Sequence, residues 1–192
     1  MTELIICEKP SAANKVASAL ADGKPIKKSN KSVPYYEITH GKQDIIVACA
    51  VGHLYGLAQK KGKGWTYPVF EVEWRPAYEM SKDSDYVKNY IDTLKKLSKK
   101  AQIFTVACDY DVEGEVIGWN ALRFACDVKD GNRMKFSTLT KGDLIEAYEK
   151  KLKHLDWGQA KAGETRHILD WFYGINLSRA LSNSIKAAGS FK

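Results

Sequence analysis

Seven consecutive residues, Asp109-Tyr110-Asp111-Val112-Glu113-Gly114-Glu115, carry four carboxylates. Charges so close repel one another, and a positive partner is what makes the arrangement favourable. Mg²⁺ suits it, because this hard cation takes oxygen ligands, keeps several waters, and typically binds one or two carboxylates plus a phosphate. Asp109 and Asp111, two apart in a loop, could reach one ion. A solvated acidic loop would have the same composition, and the run alone does not choose. A calcium loop is excluded: D-x-D-x-E-G opens like an EF-hand, but the twelfth position is Asn120 instead of Glu, and a strand-like segment precedes it.

A second candidate is Glu8-Lys9-Pro10-Ser11, directly after the apolar run Leu4-Ile5-Ile6-Cys7. If that run and Ile103-Phe104-Thr105-Val106-Ala107 are neighbouring parallel strands, Glu8 faces Asp109 across a crevice at their carboxyl ends. Open α/β sheets bind ligands there. A crowded carboxylate has its pKa raised and can act as a general acid. Lys9 could hold a phosphate. An ordinary Glu-Lys turn before a helix is the plainer alternative.

The elements that must position these groups can be read from periodicity. The runs at 4–7 and 45–51 are apolar throughout, and 103–107 is apolar but for Thr105, as expected of buried strands. Residues 35–39 and 134–137 read as further strands. Ser11 is a suitable N-cap for a helix to Leu20, and 115–126 reads as another helix. Residues 84–99 are amphipathic, with Val87, Tyr90, Ile91, Leu94 and Leu97 on one face. Thr140 with Asp143 resembles a capping box opening a helix to about residue 151. Residues 156–185 read as a long helix, broken near Gly174. The stretch 24–31 is basic and turn-rich, and 52–76 is loop-like. Alternating strands and helices predict an α/β fold with a mainly parallel sheet flanked by helices.

Composition narrows the class. The 192 residues are 44% hydrophobic, enough for a core, and carry a formal net charge of +7, which favours a polyanionic partner. The cysteines Cys7, Cys49, Cys108 and Cys126 form no C-x-x-C pair, which argues against a zinc knuckle and suits a reducing compartment. No apolar run is long enough to span a bilayer, and no signal peptide is evident. Neither G-x-x-x-x-G-K-[ST] nor G-x-G-x-x-G occurs, so no ATP requirement is expected.

Strand, Glu, helix, then strand and D-x-D-x-E-G-E, resembles the TOPRIM fold of topoisomerases, primases and some nucleases. Three further features resemble the type IA DNA topoisomerases of the topoisomerase III and archaeal kind. These are Glu8-Lys9-Pro10-Ser11, Val51-Gly52-His53-Leu54, and Arg166-His167-Ile168-Leu169-Asp170 followed by Gly174 and Leu177-Ser178. The resemblance implies a Rossmann-like TOPRIM domain over 1–138 and the start of an adjacent helical domain over 139–192. It implies Mg²⁺ at Asp109 and Asp111, with Glu113 close by and Glu8 as a further ligand. Glu8 would be the general acid to the leaving 3′ oxygen, and Lys9 would steady the scissile phosphate. His53, Arg166, His167, Asp170 and Trp171 would face single-stranded DNA. It further implies ATP-independent relaxation or decatenation in the cytoplasm, at the nucleoid.

Family members are much longer, and their nucleophilic tyrosine lies in a later domain. The resemblance therefore implies half an active site, inactive without the remaining domains of the same enzyme. Tyr110, inside the acidic run, is expected to point into the fold. Plainer readings stay open: His53 as a turn residue, and Arg166 paired with Asp170 at i,i+4. Trp65, Tyr67 and Trp74 are expected to pack in the core or between domains. The lysines at 24–31 and Lys60, Lys61 and Lys63 are solvated surface or a DNA track. A non-catalytic TOPRIM module, or a primase- or nuclease-type protein, is the alternative to the topoisomerase.

Overall fold

The computed structural model describes residues 1–60 and 65–187. Lys61, Lys63 and the segment 188–192 lie outside them. The central strand is β1 (Thr2–Cys7), buried from Glu3 onward. Its side chains alternate between two apolar clusters, Leu4 and Ile6 on one face and Ile5 and Cys7 on the other. A strand buried on both faces cannot alternate apolar with polar, which is why the run from Leu4 to Cys7 is continuously apolar; the buried Glu3 before it accepts hydrogen bonds from Thr105 and Tyr148.

Five more strands build the sheet: β2 (Ile26–Asn30), β3 (Val33–His40), β4 (Gln43–Cys49), β7 (Ile103–Ala107) and β8 (Asn132–Arg133). The order is β2-β3-β4-β1-β7-β8. β1 is parallel to both β4 and β7, β8 is parallel to β7, and β2 and β3 are antiparallel additions at one edge. The expected pairing of 4–7 with 103–107 is therefore present, and the mainly parallel sheet with it. A separate two-stranded sheet, β5 (Tyr55–Gln59) with β6 (Val72–Pro76), occupies the stretch expected to be loop. Its short strands, interrupted by Gly56 and ended by Pro76, lack the run length that marks a strand in sequence.

One face of the main sheet is covered by α1 (Pro10–Leu20) and α5 (Lys141–Glu149), through Ala13, Val16, Ala17, Leu20, Leu144 and Tyr148. The other is covered by α3 (Val87–Ser98) and α4 (Val112–Asn120), which widens into a π-helical turn, Ala121–Cys126. A single turn, α2 (Ala77–Met80), follows β6. The long α6 (Trp157–Ala187) packs its first turns against α4. Among the described residues no helix is long and apolar enough to cross a membrane. All four cysteines are free and buried, and burial raises Cys49 to about 11 and Cys126 to about 12, so none is a reactive thiolate.

Several local expectations need correction. α1 starts at Pro10, not after Ser11: proline has no N–H to leave unsatisfied at a first helical position, and Lys9 takes the cap without a side-chain bond. Part of the basic stretch is the edge strand β2, where Lys28 pairs with Glu37 at 2.5 Å; Lys31, in the turn beyond, pairs with Asp92 at 2.6 Å. The strand expected at 134–137 lies at 132–133; Met134 and Phe136 are buried against the α1 and α5 layer without continuing as a strand. α4 begins three residues earlier than expected, and α6 runs unbroken through Gly174. Thr140 does cap α5, accepting from the Asp143 N–H.

Candidate active site at the carboxyl edge of the sheet

Cys7 is in register with Ala107 across β1 and β7, so Glu8 and Asp109 leave the sheet at the same edge. The β4 exit joins them: Ala50 N–H donates to Cys7 O at 2.8 Å, and Gly52 N–H to Glu8 O at 3.0 Å. To make that second bond the chain turns sharply, with Val51 at φ 56° and Gly52 at φ 82°. A β-branched residue in the left-handed region costs about 1–3 kcal/mol and persists only where its surroundings enforce it. The turn delivers His53 to the site.

Lys9 Nζ lies 2.9 Å from Glu8 Oε1 and 3.3 Å from Asp109 Oδ2. One positive charge thus already bridges the two carboxylates. The hydrogen bond to Glu8, and next that to Asp109, raise the Lys9 ammonium to about 12, so it stays charged across the working range. Asp111 caps α4, its Oδ1 accepting from Gly114 N–H at 2.7 Å. Gly114 permits this close approach: a Cβ there would lie 2.2 Å from Asp109 O. The helix N-terminus favours the acids around it.

The four acids part company at this helix start. Glu115 is buried and pairs with the buried Arg133, Nε to Oε2 at 2.6 Å. The rest of the Arg133 guanidinium donates to Cys108 O, Met134 O and Asp109 O at 2.8–2.9 Å. Glu115 Oε1 accepts from Asp156 N–H at 2.8 Å, just before α6. Arg133 therefore fixes the backbone that presents Asp109 and, through Glu115, the start of α6. Nothing in sequence flagged it: a lone arginine beside Met134 carries no spacing signal.

Glu113 turns the other way. Its Oε2 is 3.1 Å from His53 Nε2 and 2.8 Å from His167 Nε2, and its Oε1 is 3.4 Å from Arg166 Nη1. Burial, and then the charge of His167, lower the His53 pKa. Gly163 brings α6 onto α4 so closely that a Cβ there would lie 2.5 Å from Val116 Cγ2. The contact is locked by Arg123, which reaches Glu164 at 3.0 Å and lies 3.8 Å over the Trp119 ring. Arg166 also makes the plain i,i+4 contact with Asp170, at 3.6 Å. Trp171 stands edge-on to Phe172, with ring centroids 6.2 Å apart.

The structure thus gathers Glu8, Lys9 and Asp109 in one group and His53, Glu113, Arg166 and His167 in another. Among the described residues, the trio of possible metal ligands whose donor atoms all lie within 4.8 Å of one another is His53, Glu113 and His167. Tyr110 corrects its expectation: it is 55% exposed, with Lys135 Nζ 4.7 Å over its ring. Trp74 packs against the core as expected, but Trp65 and Tyr67 are exposed.

An α/β sheet with acids at the carboxyl ends of two adjacent parallel strands defines the class, and comparison with known proteins identifies the family. The chain belongs to the Toprim domain family, whose model matches residues 3–139. It is 54% identical over 187 residues to DNA topoisomerase 1 of Pyrococcus furiosus, covering 96% of this chain and 18% of that protein. It is 52% identical over 193 residues to DNA topoisomerase 1 of Methanocaldococcus jannaschii, covering all of this chain and 25% of that one. The chain therefore spans about a quarter or less of the length of these relatives. In fold it resembles full-length topoisomerase I from Thermotoga maritima, with a TM-score of 0.53 and 22% identity over 87% of this chain and 24% of that one. The resemblance read from the sequence is borne out.

Proposed function

We propose that this chain is the Toprim portion of a type IA DNA topoisomerase, supplying the acidic half of a site that cleaves and rejoins single-stranded DNA. The observation that carries the reading is the Glu8–Lys9–Asp109 group on adjacent strand ends. Its donor chemistry suits Mg²⁺: exposed carboxylate oxygens at Asp109, with Asp111 two residues on and a bridging cation already accommodated. Asp109 and Asp111 would hold the ion, with Glu8 in reach and Glu113 beyond. When bound, the ion would neutralise charge on the phosphate being transferred.

The residues divide the remaining work. Lys9, released from its carboxylates, would hold a phosphate oxygen. Glu8 would give a proton to the leaving 3′ oxygen and take it back on rejoining. Arg166 and His53, with His167, Asp170 and Trp171 on α6, would line the path of the single strand. The α/β unit would take in α5, which packs on the sheet beside α1 and so moves the boundary beyond the expected residue 138, and α6 would open the helical part. The remaining domains would bring the nucleophilic tyrosine, and the whole protein would act in the cytoplasm at the nucleoid.

Two measurements test this. Calorimetry should show Mg²⁺ binding to the chain that the Asp109→Ala/Asp111→Ala variant loses; equal binding by both would remove the proposed site. None of the ten tyrosines matches the surroundings of the family's nucleophile. The 192-residue chain with supercoiled plasmid and Mg²⁺ is therefore expected to give neither topoisomers nor covalent protein–DNA adducts. Relaxation that survives Tyr110→Phe but disappears with Glu8→Ala would show a nucleophile within this chain.

A further inference from the structure

We infer that His53, Glu113 and His167 form a second cation site, selective for a borderline transition metal such as Zn²⁺ or Co²⁺ and distinct from the acidic site of Glu8, Asp109 and Asp111. Three elements converge on it: the strained turn after β4, the first turn of α4, and α6. Both imidazole Nε2 atoms address the same oxygen, Glu113 Oε2, at 3.1 and 2.8 Å, and the ring centroids are 5.1 Å apart. Metal–nitrogen and metal–oxygen bonds of about 2.0–2.2 Å place tetrahedral ligands about 3.3 Å apart; the two nitrogen–oxygen separations lie within a few tenths of an ångström of that spacing, and all three donor atoms lie within 4.8 Å of one another. Two histidines and a carboxylate with an open fourth position is a donor set that zinc accepts.

The surroundings fit. The three side chains are 35%, 33% and 29% exposed, half-buried but with a solvent side for a fourth, water ligand. Arg166 approaches the other carboxylate oxygen, Oε1, and leaves Oε2 to the imidazoles. Binding requires each ring proton to sit on Nδ1, with the Nε2 lone pair toward the ion. His53 Nδ1 is buried without a partner among the described residues, so the proton it carries in the metal-bound form lacks an acceptor, a cost that the metal bonds must offset. Imidazole ligands discriminate by ligand type: they suit zinc, cobalt and nickel, whereas Mg²⁺ keeps to oxygen.

An ion here would have two effects. It would join the β4 turn, α4 and α6, and so stabilise the folded chain by mass action. It would also hold Glu113 away from the acidic run, making the transition metal an antagonist of the Mg²⁺-dependent state in the proposed function. The site itself does not depend on that reading.

The test uses the 192-residue chain and Co²⁺. Titration should develop the visible ligand-field bands of a four-coordinate site, saturating at one equivalent. Zn²⁺ should abolish them and millimolar Mg²⁺ should not. His53→Ala, His167→Ala and Glu113→Gln should each weaken binding by at least the roughly 10- to 100-fold that loss of even a supporting contact costs a metal site. Asp109→Ala, which removes a carboxylate of the acidic group and leaves the Asp111 cap of α4 in place, should leave the spectrum intact, and that variant separates this site from the acidic one. Zn²⁺ should raise the melting temperature of the wild type and not of Glu113→Gln, which keeps the shape of the side chain. Absent bands, an octahedral spectrum, bands lost in Asp109→Ala, or bands kept in the histidine variants would each overturn the inference.

Discussion

Replacing Arg133 by Met should destabilise the chain more than most single changes could. Both members of the Arg133–Glu115 pair are essentially inaccessible, at 0% and 1% of side-chain surface. Removing the arginine leaves the Glu115 carboxylate buried with one remaining donor, Asp156 N–H. Breaking a buried pair in this way costs about 3–5 kcal/mol. The carbonyls of Cys108, Asp109 and Met134 lose a donor as well, so the lower figure is a floor. A total stability of roughly 5–15 kcal/mol is typical, so such a loss is a large fraction. With a urea slope of about 1–3 kcal/mol per molar, a loss of 3 kcal/mol lowers the unfolding midpoint by about 1–3 M. The double variant Arg133→Met/Glu115→Leu removes both charges. It should recover most of the pair's share and none of the carbonyls' share, giving a coupling energy of about 2 kcal/mol or more. Should Arg133→Met not fold, Arg133→Lys keeps the charge but loses the fork that serves three carbonyls, and is expected to fall between. A midpoint shift below about 0.5 M for Arg133→Met, against a floor of about 3 kcal/mol, would refute the reasoning. So would strict additivity in the double variant, or a lysine variant as stable as the wild type.

Other perturbations separate close packing from capping. Gly114→Ala puts a Cβ 2.2 Å from Asp109 O and should cost about 1–3 kcal/mol in urea unfolding. Gly142→Ala meets nothing within 4 Å and should stabilise by about 0.4–1 kcal/mol. Asp156 caps α6 through Gln159 N–H at 3.2 Å and pairs with Lys135 at 2.6 Å. The hydrogen bond from Lys135, and then that from Gln159 N–H, hold its carboxyl below the unfolded value of 3.8. A depressed carboxyl contributes stability above the unfolded pKa and loses it as pH falls through the folded one. Asp156→Ala should therefore cost about 1 kcal/mol at neutral pH, shrinking toward zero as pH drops below 3.8; a pH-independent difference would count against the capping role.

Much of the sheet was legible because burial on both faces leaves a plain mark. β1, β4 and β7 carry the apolar runs 4–7, 45–49 and 103–107, the last interrupted only by Thr105, and α3 repeats its apolar residues at helical spacing. What stayed hidden was set by partners far along the chain. Among the described residues β5 and β6 are short strands that pair only with each other, and β2 is an exposed edge whose lysines look like a turn. Met134 and Phe136 alternate like a strand because they sit under α1 and α5, not because residues 134–137 form one.

The acidic run shows the same limit within the site itself. In sequence its acids follow one another at even spacing, as though all four addressed one cation. Their division depends on where α4 begins, and that boundary is set by Asp111 accepting from Gly114 N–H. Before it, Asp109 sits on a loop tied down by Arg133. After it, each residue turns by about 100°, so residues two apart point roughly opposite ways. Glu115 therefore enters the core to meet Arg133, while Glu113 faces α6 and the turn after β4. A helix start one residue later would turn both side chains by about 100° and carry Glu115 away from Arg133, leaving that buried guanidinium without its carboxylate. Arg133 and the cap at Asp111 thus select the same register, and that register brings His53 and His167 to a common carboxylate oxygen.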